Sequence, residues 1–294
     1  MEKFNIPTNR ELKLAILHLQ KKYPANSFSG NHIDIFKECI NSLGGDFYGA
    51  VQLFHPKQRK IFVRIRNGDS FQTEEQVNDP TQYSYVPKGW CESMGRAHIP
   101  FNPVFYASDK ISTSLLEMKK PNLKKYYVAF FLTDEILFES YRFVANKRTG
   151  SSRLSNEIQG LIQHVKDEHP NYSNTEKEDI LNLIYAWGDI FTSDNYSLSS
   201  SIAHGVLNYA NGKYDSISYN SVQDLYGINY AVHPRLANKL TLHKVMETIL
   251  IGNKPKIKRV GELNKSEKLT WRGPNLSDKP GYDPLLPIKF DYLW

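Results

Sequence analysis

Three arginines and one glutamate in the middle of the chain have side chains that could bind a ligand containing both a phosphate and a sugar. Arg64 and Arg66 alternate with apolar residues in the run KIFVRIR at 60–66, and Arg96 follows a glycine. A guanidinium group presents paired N–H donors that match phosphate oxygens, so these arginines could grip a diphosphate. Glu117 supplies a carboxylate that could stabilise positive charge developing on a sugar ring, as in glycoside cleavage.

Two further side chains complete this candidate site. Tyr106 ends an aromatic-rich run and offers a ring for a planar ligand, and Ser221 offers a hydroxyl that could orient a sugar or a nucleophile. Each residue also has an ordinary structural interpretation. The arginines could be exposed strand charges, Glu117 a helix-surface acid, Tyr106 a core residue and Ser221 a turn residue. The residue types alone leave both interpretations open.

The hydrophobic periodicity predicts the elements that must position these residues. In the run 60–66, Phe62 shares a strand face with both arginines, while Ile61, Val63 and Ile65 form the other face. The remaining pattern predicts strands at 104–107, 126–132, 216–219 and 240–245, and helices at 112–119, 157–169, 175–191, 197–210 and 234–238.

The chain divides into three regions, and the mixture of elements predicts an α+β fold. Residues 1–45 form a helical N-terminal unit, in which Thr8 and Glu11 have the spacing of a capping box. Residues 46–252 form the main domain, with a helical insertion at about 140–210. Residues 253–294 contain Pro and Gly and have no periodic pattern, so we expect them to form a basic tail.

Composition narrows the class of protein. The formal charge of the 294 residues is +6, and residues 252–294 hold nine basic against five acidic side chains, which accounts for +4. The rest of the chain is nearly neutral, so nucleic acid is not the expected partner.

The two cysteines fit a reducing compartment, and no apolar run approaches a membrane span. The N-terminus has no secretory pattern, and we expect a cytoplasmic protein that does not bind a membrane.

Other motifs carry less weight. His164 and His169 have poor helical spacing for a shared metal, and no metal site is predicted. His98 could line the pocket or lie on the surface, and KPKIKR at 254–259 could contact nucleic acid or form a solvated tail. The chain has no Walker loop, no GxGxxG and no HExxH. A Rossmann-type redox enzyme is therefore not expected.

Three segments, in order, resemble the motifs of the RES-domain family. GRAHIPFNPVFYASDKISTSLLE at 95–117 resembles the central pattern, and FVRIR at 62–66 resembles the opening arginine strand. YDSISYNSVQDLYGINYAVHP at 214–234 resembles the closing motif, with its serine and a following Gly-x-Asn that ends at Asn229. The resemblance covers about residues 60–245.

The resemblance implies both a fold and an activity. Members have an ADP-ribosyltransferase-like split β-sheet core and act as toxins of toxin–antitoxin pairs that deplete NAD⁺ by phosphorolysis or hydrolysis. NAD⁺ is then a substrate and no cofactor is expected, although inorganic phosphate is a candidate co-substrate. By motif, the resemblance implies catalytic roles for Glu117, Ser221 and Arg64 and substrate binding by Arg66, Arg96, Tyr106 and Asn229; which of Arg64 and Arg66 is the motif arginine stays open.

Two alternatives remain at this point. A mono-ADP-ribosyltransferase would differ only in its acceptor, a protein or a nucleic acid. A non-catalytic nucleic-acid-binding module would use the basic tail and carry a vestigial pocket. The partners implied by the leading hypothesis are NAD⁺ and an antitoxin protein, and a homo-oligomer is a further expectation.

Overall fold

The fold is described by a computed structural model over most of the chain. The described residues are 6–25, 31–44, 51–55, 60–118, 124–134, 136–145, 160, 162–163, 167, 172–208, 213–224, 226–251, 254–275 and 278. His164, His169, most of the helix predicted at 157–169 and the last part of the predicted tail lie outside these residues.

The described ranges contain both strands and helices, as the α+β prediction requires. The strands are β1 (Val51–His55), β2 (Ile61–Asn67), β3 (Phe105–Ser108), β4 (Lys125–Leu132), β5 (Phe138–Phe143), β6 (Ser216–Asn220), β7 (Ile228–Val232), β8 (Thr241–Ile251), β9 (Lys254–Leu263) and β10 (Leu269–Arg272). The α-helices are α1 (Asn9–Lys22), α2 (His32–Leu43), α3 (Glu74–Asn78), α4 (Ile111–Glu117), α5 (Asn174–Thr192), α6 (Tyr196–Asn208) and α7 (Pro234–Ala237). Short 3₁₀ turns lie at Gly68–Ser70, Pro80–Tyr83 and Lys88–Trp90.

The first two helices lie within the helical N-terminal unit that the sequence predicts at 1–45. The Thr8 side chain accepts from the backbone N–H of Glu11, and the Glu11 carboxylate accepts from the backbone N–H of Thr8, which is a complete capping box. Helix α2 ends at Gly44, whose φ of 70° is left-handed. Helices α1 and α2 contact each other, and they pack on α5 and α6, respectively. Their apolar side chains therefore share a core with the later helices.

One mixed sheet joins all ten strands in the order β1-β5-β6-β7-β3-β2-β4-β8-β9-β10. The pair β5–β6 is parallel, and the other pairs are antiparallel. Parallel neighbours need a crossover connection of a dozen or more residues, usually helical. The helical insertion expected at about 140–210 corresponds to this crossover. Its predicted start is wrong, because the first residues of that range belong to β5.

Strand β2 has the two faces that its alternation predicts. Phe62 packs in one hydrophobic cluster with Phe105 and Tyr230. Ile61 and Val63 pack in another cluster on the opposite face. The alternation is confirmed, and it puts Arg64 and Arg66 on the Phe62 face.

The sheet opens between β2 and β3. Strand β2 pairs with β4 from Ile61 to Asn67, whereas it pairs with β3 only at Val63 and Ser108. The edge of β2 beyond Val63 therefore has no strand partner on the β3 side among the described residues. This opening creates the space for a site.

The predicted basic tail is wrong for residues 254–272, because they form β9 and β10 at one end of the sheet. Arg259 of β9 bonds to the fully buried Glu247 of β8 and also to Glu74 of α3. The run 254–259 is thus a strand near the sheet edge, where lysines are common because they oppose further strand pairing. Among the described helices, none has the length and apolar character needed to cross a membrane.

Candidate functional site

A cleft of about 540 Å³ lies at the opening between β2 and β3. Side chains from β2, β3, α4, β7 and the loop after Gly95 line it. The structure brings together in this cleft Arg64, Arg66, Arg96, Tyr106, Glu117 and Asn229; Ser221 is not among its lining residues.

Arg64 and Arg66 form the cationic wall of the cleft. Nη1 of Arg64 donates to the backbone carbonyl of Tyr106 at 2.7 Å, which bridges the sheet opening. Burial, together with the neighbouring Arg66, lowers the pKa of Arg64 to about 9, so this side chain is still protonated at neutral pH. Burial also lowers the pKa of Arg66.

Neither of these two arginines has a carboxylate partner among the described residues. The Nε atoms of Arg64 and Arg66 are buried and have no hydrogen-bond partner there. Two neighbouring cations without a counter-charge oppose each other, and a buried donor without an acceptor is costly. An anion bound in the cleft would relieve both penalties.

Glu117, at the end of α4, is the acidic group of the cleft. Its Oε1 accepts from Ser221 Oγ at 2.5 Å, from Asn229 Nδ2 at 2.7 Å and from the backbone N–H of Val222 at 3.2 Å. Within the described residues, no donor bonds to Oε2. One oxygen is therefore anchored and the other is left for a ligand.

Ser221 serves as an anchor for Glu117. Its side chain is fully buried, and its Oγ also accepts from the backbone N–H groups of Gln223 at 3.2 Å and Asp224 at 2.9 Å. Because its single proton goes to Glu117, this hydroxyl is not placed to orient a sugar or a nucleophile. The structure thus gives Ser221 a positioning role instead of the direct catalytic contact that the motif implies.

Close packing fixes the loop that carries Ser221 against α4. Thr113 Oγ1 donates to Asp224 Oδ2 at 2.6 Å, and Lys110 Nζ donates to the carbonyl of Tyr226 at 2.9 Å. A Cβ at Gly227 would lie 2.2 Å from Thr113 Oγ1, which is too close for any side chain. The Gly-x-Asn of the closing motif therefore has a physical basis: the glycine permits the contact, and Asn229 reaches Glu117.

Ser108 is a polar residue of the site that the sequence analysis missed. It lies directly opposite Asn229 in the β3–β7 pair, and its Oγ donates to Asn229 Oδ1 at 2.7 Å. The signal available in the sequence was its position just after the predicted strand at 104–107. Tyr196 and Tyr219 also line the cleft. The sequence analysis missed them because only the fold brings them near β3.

Tyr106 lines the cleft with its ring and holds the preceding loop with its hydroxyl. The phenol oxygen accepts from the backbone N–H of Ala97 at 2.7 Å and lies 2.9 Å from His98 Nδ1. Burial raises the pKa of Tyr106 and lowers the pKa of His98, so the phenol stays protonated and the imidazole stays neutral. The phenol then donates to Nδ1, while Nε2–H of His98 donates to the carbonyl of Ser93 at 3.1 Å.

The phosphate-gripping role expected for Arg96 is not what its contacts indicate. Its Nη1 donates to the carbonyls of Phe191 at 2.8 Å and Ser193 at 2.5 Å, at the C-terminal end of α5. The exposed Asp194 lies 3.8 Å from its Nη2. A cation is favoured at a helix C-terminus because the last carbonyls lack intrahelical partners and carry partial negative charge. Arg96 thus connects the cleft loop to α5.

A second cavity, of about 840 Å³, adjoins the first and shares Arg66 and His98 with it. No carboxylate is present among the described residues that line this cavity. Trp90 and Phe101 stand at it with 82% and 50% of their surfaces exposed, and Phe101 has a φ of 62°. The second cavity is therefore a neutral to cationic space with exposed aromatic rings.

Comparisons with known proteins add no relative. No protein-family model, no curated protein and no solved structure matches this chain. In the part of the chain that the structure describes, no group of three His, Cys, Asp or Glu side chains could hold a metal ion.

Proposed function

We propose that this protein consumes NAD⁺ by breaking the bond between nicotinamide and ribose, on an ADP-ribosyltransferase-like core of the RES-domain type. The observation that carries the proposal is the pairing, in one cleft, of two arginines that lack a described counter-ion with a carboxylate that has one free oxygen. A diphosphate supplies the missing anion, and a ribosyl cation is the species that such a carboxylate stabilises.

The proposed reaction uses each group for one task. Arg64 and Arg66 hold the diphosphate, and the ring of Tyr106 packs against the nicotinamide side. The C–N bond breaks and its electron pair leaves with nicotinamide, while Glu117 Oε2 stabilises the positive charge that develops on the ribose. An oxygen of water or inorganic phosphate then bonds to the anomeric carbon and loses a proton to solvent. Ser221 and Asn229 hold Glu117 in place, and Arg96 holds the cleft loop.

Mono-ADP-ribosyl transfer is the second candidate, and the second cavity favours it. That cavity shares Arg66 and His98 with the cleft, so it provides room for an acceptor beside NAD⁺.

The toxin role, the antitoxin partner and the cytoplasmic location belong to the leading proposal of NAD⁺ consumption, since they follow from the RES-domain resemblance.

The test is to incubate purified protein with NAD⁺, with and without inorganic phosphate, and to separate the products by liquid chromatography and mass spectrometry. We expect free nicotinamide, together with ADP-ribose in the absence of phosphate or its phosphorylated form in its presence. Heat-denatured protein is the control. Intact NAD⁺ in both buffers, from protein with a cooperative melting transition, would refute the proposal.

A further inference from the structure

Ser108 lies one hydrogen bond away from the amide that holds Glu117. It is 3% exposed on β3, and Asn229, its direct partner on β7, is 4% exposed. Side chains directly opposite each other in an antiparallel pair project from the same face of the sheet. The register of β3 and β7 therefore brings the Ser108 hydroxyl to Asn229 Oδ1 at 2.7 Å.

The Asn229 amide has two ends with opposite requirements. Its Nδ2 donates to Glu117 Oε1 at 2.7 Å, and its Oδ1 accepts from Ser108. If the amide rotated by half a turn, Oδ1 would oppose the carboxylate oxygen, and two acceptors would meet. No other described donor bonds to Oδ1, so Ser108 is the group that satisfies this end of the amide.

The same carboxylate oxygen is held on its other side by Ser221 at 2.5 Å. Two strands and one loop thus converge on Oε1, through a relay that begins at Ser108. A carboxylate held from both sides has little freedom to rotate, so its second oxygen keeps one position in the cleft. Preorganisation of this kind acts on the rate of a reaction more than on substrate affinity.

We propose that Ser108 is a positioning residue, which orients the Asn229 amide and through it the Glu117 carboxylate. The role in turnover rests on the proposed function, whereas the orientation of the amide does not. Ser108 touches no reacting atom in this scheme. Removal of its hydroxyl leaves a buried amide oxygen without a donor, and the amide then reorients or becomes mobile.

The chain offers a matched control for this proposal. Ser218 on β6 is also a buried strand serine, at 2% exposure, but its Oγ has no hydrogen-bond partner in the described part of the chain. Ser218→Ala therefore removes a hydroxyl from the same sheet without touching the relay. Ser108→Thr is the conservative variant, since it keeps the donor.

The first measurement is the side-chain ¹H–¹⁵N signal of Asn229, assigned by its disappearance in Asn229→Asp. We expect Ser108→Ala to shift or broaden this signal, and Ser108→Thr and Ser218→Ala to leave it near its wild-type position. An unchanged signal in Ser108→Ala would overturn the proposal. This result does not depend on NAD⁺ turnover.

The second measurement is NAD⁺ turnover by the same variants. Ser108→Ala should lower kcat by roughly tenfold and change KM much less, because the lost group positions a group that acts in the transition state. Ser108→Thr should recover most of the rate, and Ser218→Ala should match wild type. A wild-type kcat in Ser108→Ala would contradict the proposal. Absence of turnover in every protein would refute the proposed function, and the amide signal would still decide whether Ser108 orients Asn229.

Discussion

At the scale of single residues, the site depends on an unequal treatment of the two Glu117 oxygens. Oε1 accepts from two side chains and one backbone N–H, while Oε2 has no described donor. The arginines are unequal as well. Arg64 is committed to the Tyr106 carbonyl, whereas no hydrogen bond to a described residue holds Arg66. Glu117 and Arg66 are therefore the residues whose replacement most directly tests chemistry and phosphate binding.

Glu117→Gln is expected to lower NAD⁺ turnover by roughly 10²–10³-fold while NAD⁺ binding is largely kept. The amide retains an oxygen for the anchoring donors but loses the negative charge that acts on the transition state. Turnover measured by nicotinamide release and binding measured by calorimetry separate the two effects. Glu178→Gln, on the exposed surface of α5, is the control, and a near wild-type rate in Glu117→Gln would remove this residue from the mechanism.

Arg66→Ala is expected to weaken NAD⁺ binding by roughly tenfold to a hundredfold, since a charge-assisted phosphate contact contributes about 1.5–3 kcal/mol. Binding of nicotinamide alone should not change, because this ligand carries no phosphate. Arg66→Lys should recover only part of the affinity, since lysine lacks the planar fork. Titration of both ligands checks this, with the exposed Arg10→Ala as the control. Equal losses for the two ligands would assign Arg66 to the scaffold.

At the scale of elements, the site depends on how the loops meet the ends of helices. The loop after Gly95 is attached to α5 by Arg96, and the loop after Ser221 is attached to α4 by Thr113 and Asp224. Both contacts join segments that are about a hundred positions apart in the sequence. Changes at these points are expected to alter stability together with function.

Arg96→Ala is expected to lower the free energy of unfolding by about 1–3 kcal/mol, because it leaves the carbonyls of Phe191 and Ser193, at the C-terminal end of α5, without this donor. NAD⁺ and nicotinamide should then lose affinity to a similar degree. Thermal melting and the same two titrations check this. A selective loss of NAD⁺ affinity with an unchanged melting temperature would restore Arg96 to the phosphate site.

Gly227→Ala is expected to destabilise the protein by about 1–3 kcal/mol and to lower turnover, because the new Cβ must displace Thr113 and, through it, the loop that anchors Glu117. Gly273→Ala is the matched control, since its added Cβ would meet no heavy atom within 4 Å from any described residue other than its chain neighbours. Denaturant unfolding measures the first effect, and nicotinamide release measures the second. If Gly227→Ala behaved like Gly273→Ala, the close contact between α4 and this loop would not matter.

At the scale of the whole molecule, one core joins the N-terminal helices, the crossover helices and a face of the sheet. Leu12 of α1, Ile35 of α2, Trp187 of α5 and Tyr141 of β5 are all buried in the same cluster. His32 adds a buried polar contact to α6, where its Nδ1 lies 2.9 Å from Ser201 Oγ. Loss of this packing would therefore destabilise both the N-terminal helices and the crossover helices.

The stability of the protein is expected to fall as the pH drops from about 6.5 towards 4. Burial and the neighbouring His204 lower the pKa of His32 to about 4, so the unfolded chain binds its proton at a higher pH than the folded chain. Stability that depends on neutral His32 is therefore complete above the unfolded pKa and decreases below it. The melting temperature at about pH 7 and about pH 5 measures this, with His32→Gln as the comparison. An equal pH dependence of the melting temperature in both proteins would exclude His32 as its cause. The other described histidine whose pKa is lowered to about 4 is His233.

Elements whose signal is local could be predicted from the amino-acid sequence. The capping box at Thr8, the alternation of Phe62 with Arg64 and the apolar run of β4 each depend on neighbours within four positions, so they could be predicted. Strand β5 was missed because its buried Ser140 and Arg142 interrupt any apolar pattern. Strand β9 was missed because alternating lysines resemble a solvated tail.

The contacts of the candidate residues could not be predicted from the sequence. The motif order gathered Arg64, Glu117, Ser221 and Asn229 as candidates, but their roles depend on strand order and register. The β3–β7 pairing brings Ser108 to Asn229, and the opening beside β2 leaves the buried Arg66 Nε without a described hydrogen-bond partner. The first contact joins positions more than a hundred residues apart, and the second feature depends on where β2 and β3 stop pairing. No periodicity within a short window carries that information, because it arises from how the strands pair.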